Sequence, residues 1–189
     1  MAPNNTQRKE ALDVEELDIL PDEVDPGKAS TAEEKVDDFK PELVWLNVYW
    51  YTSLHLMALY GIYLGTFYAK WPTIALAVLW HVFGALGVTA GVHRLWSHRS
   101  YKARLPLRTF LAMAFTIAFQ NSIYIWVRDH RVHHKFSETN ADPHNVKRGF
   151  FFAHVGWLLH KKHPDVLNKG KTVSMDDVLA DPVVYYQHK

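Results

Sequence analysis

Residues 73–98 read TIALAVLWHVFGALGVTAGVHRLWSH. The part from 73 to 92 contains no Lys, Arg, Asp or Glu, and its length matches the roughly 20 residues that a helix needs to cross a bilayer core. Two histidines, His93 and His98, follow directly after this run. The pattern predicts a membrane helix that delivers paired imidazoles to one membrane face.

A second uncharged run, residues 44–68, precedes the first and is long enough to cross a bilayer. Only Ala69-Lys70-Trp71-Pro72 separates the two runs, so we expect a two-span hairpin. Amphipathic aromatic rings, which favour headgroup depth, mark its ends at Trp45, Trp50, Tyr68 and Trp71. The alternative is a pair of core helices in a soluble protein, but uncharged runs of this length are uncommon there.

Basic residues set the expected orientation. The hairpin loop carries only Lys70, whereas five basic residues follow the second run: Arg94, Arg99, Lys102, Arg104 and Arg108. We therefore expect both the body after residue 92 and the N-terminal tail to be cytosolic.

The N-terminal tail differs from the body in composition. Residues 1–43 carry 13 acidic and 5 basic side chains, although the whole chain has a net charge of +1. Few aromatic side chains are available for burial in residues 1–40, so we expect a disordered acidic tail. No basic and then apolar signal pattern opens the chain, which favours insertion through an internal span.

A third apolar run, residues 105–127, is long enough to cross but contains Arg108, Gln120 and Asn121, which are costly in lipid. Histidines flank both ends of this run. A single crossing would put the two histidine clusters on opposite sides of the membrane. We therefore predict one interfacial or protein-covered helix on the cytosolic face.

The first histidine cluster has an awkward spacing. His93 and His98 are five residues apart, so on a regular helix their rings would point about 140° apart. Such a pair can serve one ion after local unwinding, or two neighbouring ions.

The second cluster, DHRVHH at 129–134, has the opposite geometry. Its histidines occupy positions i, i+3 and i+4 of a helix face, where they can converge on a metal: His130, His133 and His134. We expect Asp129 to accept a ring hydrogen from a histidine and fix its tautomer.

The five histidines predict a metal site built mainly from imidazole, which suits iron, copper or zinc, and ligand chemistry leaves the choice among them open. The chain has no cysteine, so thiolate ligands, disulfides and thiol catalysis are excluded. Neither cluster has the Glu-x-x-His pattern of soluble di-iron bundles or the His-Glu-x-x-His pattern of zinc proteases. Five imidazoles can complete one ion, but two ions need further ligands.

Three extended strings resemble the animal membrane-bound acyl-CoA desaturases of the Δ9 (stearoyl-CoA) type. GVHRLWSHRSYK at 91–102 is similar to the first histidine box of that family, and RDHRVHHKFS at 128–137, continued by ET and ADPH to 144, is similar to the second. RGFFFAHVGW at 148–157 also matches the family pattern. The resemblance covers most of residues 41–189.

The resemblance implies an enzyme in which a histidine-ligated di-iron centre uses O2 to insert a cis double bond into a long-chain fatty acyl-CoA. It implies cytochrome b5 and its reductase as the electron source, which fits the lack of a flavin or nicotinamide fingerprint. It places the protein in the endoplasmic reticulum membrane, in contact with lipid. We expect no nucleic-acid partner and no catalytic residue beyond the metal centre.

Carried over position by position, the resemblance assigns three sets of residues. The metal ligands are His93, His98, His130, His133 and His134. The CoA contacts are Asn47, Asn121, Arg128, Asp129, Lys161 and Lys162. The end of the acyl tunnel is assigned to His81 and Ala85. Lys161 stands where the family often has Arg, so the charge is kept but the bidentate fork is lost. Without the resemblance, Lys161 and Lys162 are equally well explained as a solvated basic pair, and His81 as a hydrogen-bonded histidine of the hairpin.

The expected fold is an all-α membrane protein: the hairpin (about 44–68 and 73–92), the interfacial helix and a cytosolic helical cap within 93–189 that carries the histidine boxes. The family's third histidine box has no match here. We therefore expect either a partial sequence or a product that is inactive alone. Two alternatives remain at this stage: a histidine-box hydroxylase or a desaturase of other regiochemistry, and a truncated non-catalytic membrane protein that regulates or pairs with a full-length desaturase.

Overall fold

The structure, a computed structural model, describes residues 39–189. The prediction of a disordered tail over 1–40 therefore lies almost wholly outside the described residues. Residues 39–189 form helices and connecting loops, and their only extended pairing is an isolated antiparallel bridge between Leu43 and His160. The predicted all-α class is confirmed for this part of the chain.

Seven helices, here named α1 to α7, form the framework. They are α1 Trp45–Phe67, α2 Trp71–Leu86, α3 Leu105–Ile117, α4 Ile123–Lys135, α5 Pro164–Gly170, α6 Asp176–Leu179 and α7 Pro182–His188. A π-helical segment, Gly87–Ser97, continues α2 directly. Between α4 and α5 lie three short pieces: a 3₁₀ turn Val146–Arg148, a π-helical turn Phe152–Gly156 and a last turn Trp157–Leu159. Proline stands at the first or second position of four helices, α2, α3, α5 and α7, where its missing N–H costs nothing.

Among the described helices, the continuous stretch Trp71–Ser97 is the one long and apolar enough to cross a membrane by length and composition. It has 27 residues and a mean hydropathy of 1.8 over its most apolar window. α1 has 23 residues, no charged side chain and no buried residue. It meets the rest of the fold near its N-terminal end, where Asn47 Nδ2 donates to the Leu158 carbonyl at 2.8 Å. The two-span hairpin therefore remains a prediction.

The apolar run at 105–127 contains two helices where the sequence predicted one. α3 ends at Ile117 and α4 begins at Ile123. In the bend between them, Phe119 and Asn121 have φ values of 54° and 75°, a left-handed conformation that a continuing α-helix does not allow. Ser122 then caps α4 by accepting a hydrogen bond from the Ile125 N–H at 3.3 Å.

The bend lets α3 and α4 both pack on the π-helical segment. Buried apolar side chains from these elements, α6 and α7 form one core, which includes Val92, Trp96, Phe115, Val127 and Val184. α3 approaches the start of the π-helical segment so closely that a Cβ on Gly87 would lie 2.1 Å from the Phe115 nitrogen. Only glycine fits at this crossing. The close contact with α3 holds the end of the apolar helix against the core.

Candidate metal centre

The π-helical segment brings the first two histidines together. The His98 N–H donates to the His93 carbonyl at 3.0 Å, an i→i+5 bond that gives the turn nearly one residue more than an α-helix has. A step of five residues therefore returns to almost the same face. The two rings lie 4.7 Å apart between centroids. This is the local unwinding that the five-residue spacing required.

α4 supplies two further imidazoles from one face, as the i, i+4 spacing predicted. His130 Nε2 lies 3.1 Å from His134 Nε2 and 3.0 Å from His98 Nε2. Each histidine of the set offers one nitrogen within 4.8 Å of the others: His93, His98, His130 and His134. We name this set the four-histidine group.

The spacing of these nitrogens fits a single transition-metal ion. Two imidazole nitrogens bound at about 2.1 Å to one ion, with an angle near 90°, lie about 3 Å apart. The two contacts made by His130 Nε2 have that separation. Four converging neutral nitrogens without a carboxylate suit iron, copper or zinc better than Mg²⁺ or Ca²⁺, which prefer oxygen.

The surroundings keep His98, His130 and His134 in the neutral form that metal binding needs. Burial, together with the charges that the neighbouring histidines would carry, lowers the pKa of His130 to about 3. Burial and a neighbouring imidazole also lower the pKa of His98 and of His134. Trp126 stacks on the His130 ring at 4.7 Å between centroids and shields it from water. An open cavity of about 500 Å³ borders His98, His130 and His134, so an ion can reach them.

His133 does not point into the four-histidine group, although it shares the predicted helix spacing. Its Nδ1 lies 2.9 Å from Asp142 Oδ1, and its ring lies 4.0 Å from the ring of His144. We name His133, Asp142 and His144 the Asp142 group; their ligand atoms also lie within 4.8 Å of one another. With Nδ1 facing a carboxylate, His133 is held in the tautomer that leaves Nε2 free to bind a metal.

The carboxylate that orients a histidine is thus Asp142, and the expectation for Asp129 was wrong. The Asp129 carboxylate instead accepts hydrogen bonds from Lys162 Nζ at 2.5 Å and from Arg128 Nε at 3.3 Å. These three side chains are largely buried, and the Asp129 carboxylate lies between the two cationic groups. The structure therefore brings together three of the six residues assigned to CoA.

The other three CoA residues lie on different elements. Asn47 ties α1 to Leu158, three residues before Lys161. Lys161 Nζ pairs with Glu42 Oε2 at 2.6 Å on the exposed surface. Asn121 lies in the bend between α3 and α4 with its side chain exposed.

The two acyl-tunnel residues lie one turn apart on α2. His81 and Ala85 are both exposed in the described part of the chain. Their i, i+4 spacing puts them on one face of the apolar helix.

Sequence reasoning missed Asp142, His144 and the role of Arg131. Asp142 and His144 occur in the quoted string ADPH, but nothing local indicates that a loop residue meets a histidine nine positions earlier. Arg131 lies inside the second cluster and donates to carbonyl groups of the first. Such contacts depend on the tertiary fold.

No protein-family model matches the chain. Several curated proteins are similar to it over most of its length. An acyl-CoA Delta-9 desaturase of Acheta domesticus is 50% identical over 192 residues, covering 100% of this chain and 54% of the relative. Stearoyl-CoA desaturase 4 of Mus musculus is 52% identical, covering 97% and 51%, and the stearoyl-CoA desaturase of Homo sapiens is 54% identical, covering 92% and 48%. The chain spans about half the length of these relatives.

Proposed function

Because the chain belongs to the acyl-CoA Δ9-desaturase family and matches the N-terminal half of its relatives, we propose that it serves the oxygen-dependent desaturation of long-chain fatty acyl-CoA. The observation that carries this proposal is the convergence of four imidazole nitrogens at the end of an apolar helix. The relatives are named desaturases, which favours this reaction over hydroxylation. We propose Δ9 as the position of the double bond because the name of the Acheta domesticus relative gives that position.

Iron is the proposed metal. His93, His98, His130 and His134 would hold one ion, and His133, oriented by Asp142, would contribute to a second. A bound di-iron centre supplies the O2-derived oxidising power that removal of hydrogens from unactivated methylenes requires. The protein's own contribution is to keep the imidazoles neutral, oriented and shielded by Trp126.

We propose that the CoA group binds near Arg128, Lys162 and Lys161. Phosphates favour cationic partners, and Arg can bind them with two parallel hydrogen bonds. Arg128 and Lys162 are already held by Asp129, so their positive ends are ordered before substrate arrives. Lys161 is exposed and pairs with Glu42, which is also exposed and which it would exchange for a phosphate. Asn47 and Asn121 are proposed as polar contacts to the rest of CoA.

The acyl chain would follow the apolar face of α2, where His81 and Ala85 are proposed to end the tunnel. α1 and the Trp71–Ser97 helix are proposed to form the two-span hairpin in the endoplasmic reticulum membrane, with both histidine groups on the cytosolic side. Cytochrome b5 and its reductase are proposed as electron donors to the centre. The basic residues after Ser97 support this orientation.

The test measures iron content and product formation by protein expressed from its complete reading frame in membranes. Stearoyl-CoA, O2, cytochrome b5, its reductase and NADH are supplied, and products are analysed by mass spectrometry. We expect about two irons per chain and oleoyl-CoA as the product. His130→Ala should abolish both, whereas His55→Ala, at an exposed histidine of α1, should change neither.

Three outcomes would overturn the proposal in different ways. A hydroxylated acyl chain would show a hydroxylase. A double bond at another carbon would refute the Δ9 assignment alone. Neither iron nor turnover in the wild-type protein would leave a regulatory role in complex with another desaturase as the better account.

A further inference from the structure

Arg131 has the densest set of polar contacts near the four-histidine group. It lies between His130 and His133 in sequence but points to the other element of the site. Its Nη2 donates to the Trp96 carbonyl at 2.7 Å, and its Nε donates to the Ser97 carbonyl at 3.3 Å. Its Nη1 donates to the Ser174 carbonyl at 2.6 Å. One side chain of α4 therefore holds the end of the π-helical segment and the loop before α6.

The two carbonyl groups of Trp96 and Ser97 are the last of the π-helical segment. The final carbonyls of a helix have no partner within it and carry the negative end of its dipole. A guanidinium suits this position because its several N–H groups can donate to the unpaired carbonyls and its positive charge faces the negative end of the dipole. The next residue after these carbonyls is His98, whose ring meets His130. Holding the carbonyls therefore sets where the His98 ring lies.

Asp177 of α6 fixes the guanidinium itself. Its two carboxylate oxygens accept from Arg131 Nη1 at 2.9 Å and from Nη2 at 2.8 Å, the paired geometry that only arginine can supply. The Arg131 side chain is 12% exposed, so these bonds compete little with water. Arg99 also donates to Asp177, at 2.7 Å, but its side chain is 59% exposed.

We propose that Arg131 is a positioning residue that locks the His93–His98 turn onto α4 and thereby sets the geometry of the four-histidine group. This inference rests on the proposed metal site, because the lock matters for function only if those imidazoles bind an ion. Within residues 39–189, the hydrogen bonds of Arg131 go to other groups and not to the four rings. Its effect passes through the backbone of residues 96 and 97.

The experiment titrates the protein, in detergent micelles, with Co²⁺ as a spectroscopic probe of imidazole coordination. The d–d absorption reports the geometry of the bound ion, and the titration gives its affinity. Variants Arg131→Gln and Arg131→Lys are compared with the control Arg99→Gln, which also loses an ion pair to Asp177 but leaves both carbonyl contacts in place. Circular dichroism and the Tm are measured on each variant.

We expect Arg131→Gln to weaken Co²⁺ binding by about 10–100-fold, the range seen when residues that orient metal ligands are removed. The d–d spectrum should broaden or shift. Arg131→Lys should restore part of the affinity because it keeps the charge but lacks the planar fork. Arg99→Gln should stay within about threefold of wild type because the backbone carbonyls remain held.

Wild-type affinity and spectrum in a folded Arg131→Gln protein would overturn the inference. If that variant does not fold, Asp177→Asn decides, since it loosens the guanidinium without removing it. Weaker Co²⁺ binding with a changed spectrum in Asp177→Asn supports the positioning role of Arg131, and unchanged binding refutes it. Failure of the wild-type protein to bind Co²⁺ or Fe²⁺ would instead refute the metal site itself, so the two failures are distinguishable.

Discussion

The two histidine groups of this protein are positioned by different means. In the four-histidine group the rings meet one another, and their positions follow from helices: the π-helical segment, α4 and the crossing at Gly87. In the Asp142 group a single carboxylate orients His133 from a loop. The Asp142 side chain is 2% exposed and also accepts hydrogen bonds from the N–H groups of Glu138 and His144.

The difference shows where each group is sensitive to change. Helix packing positions the four-histidine group, so substitutions far from its rings should disturb it. The Asp142 group depends on the hydrogen bonds of one carboxylate. A change of one atom in the Asp142 side chain should therefore act on His133 and leave the rings of the four-histidine group in place.

The largest expected effect comes from His130→Ala, because His130 Nε2 lies within 3.1 Å of two other ligand nitrogens. A quarter of the roughly 10–16 kcal/mol that a four-ligand site can gain is about 3 kcal/mol, or about 100-fold in affinity. Co²⁺ titration of the purified protein measures this loss. His144→Ala, in the Asp142 group, is the control and should change affinity less than about threefold. Equal losses in both variants would show that the two groups bind one ion together.

Gly87→Ala tests whether helix packing positions the four-histidine group. The new Cβ would meet the backbone of Ala114 and Phe115 at 2.1–2.6 Å, so α3 must move. We expect the free energy of unfolding to fall by roughly 1–3 kcal/mol or more, together with weaker metal binding. Thermal unfolding in detergent measures the first effect.

The matched control is Gly61→Ala in α1, where a Cβ has no neighbour within 4 Å. It should be neutral or stabilise the helix by about 0.5–1 kcal/mol, since alanine favours a helix interior over glycine. An unchanged Tm for Gly87→Ala would mean that the close contact between α3 and the start of the π-helical segment adjusts at little cost.

Asp142→Asn tests whether the Asp142 carboxylate sets the tautomer of His133. An amide NH2 facing His133 Nδ1 would favour a hydrogen on Nε2, the atom that a metal needs. We expect about 10–100-fold weaker binding of the ion that His133 ligates, with the affinity of the four-histidine group unchanged. ¹⁵N NMR of the His133 ring reads the tautomer directly, and Asp165→Asn, at a carboxylate 3.5 Å from His163, is the control. A wild-type tautomer in Asp142→Asn would contradict the assigned role.

The smallest expected effect concerns pH. Burial would raise the pKa of Asp177, but hydrogen bonds and charges from Arg131 and Arg99 outweigh it and lower this pKa to about 2, below its ordinary 3.8. The stabilisation is therefore fully present above about pH 4 and is lost as the pH falls to about 2. The Tm difference between wild type and Asp177→Asn should shrink over that window. A difference that stays constant from pH 5 to pH 2 would refute the ion pair.

Several features of the site were predictable from local sequence. The i, i+4 spacing predicted that His130 and His134 share a face, and the two histidine clusters that flank residues 105–127 predicted that both clusters contribute to one site. The structure does bring His93 and His98 to His130 and His134. The prediction of a single helix over 105–127 was wrong because residues 118–122 bend through left-handed conformations at Phe119 and Asn121. Asn tolerates this conformation, but a bulky residue such as Phe rarely adopts it, so the sequence does not indicate the break at Phe119. The turn of His133 toward Asp142 was missed because the partner lies in a loop.

The sequence by itself determined the helical class, the apolar stretch that ends in histidines, and the imidazole chemistry of the site, because these follow from periodicity, charge and ligand type within short windows. Only the tertiary structure decided that a π-helical turn aligns His93 with His98, that Asp142 rather than Asp129 orients His133, and that Arg131 joins the two clusters. The contacts of Asp142 and Arg131 link residues 9 to 46 positions apart, and the place of the π-helical turn depends on how α3 crosses at Gly87. Packing of the helices, which no local pattern encodes, brings His93 and His98 to His130 and His134.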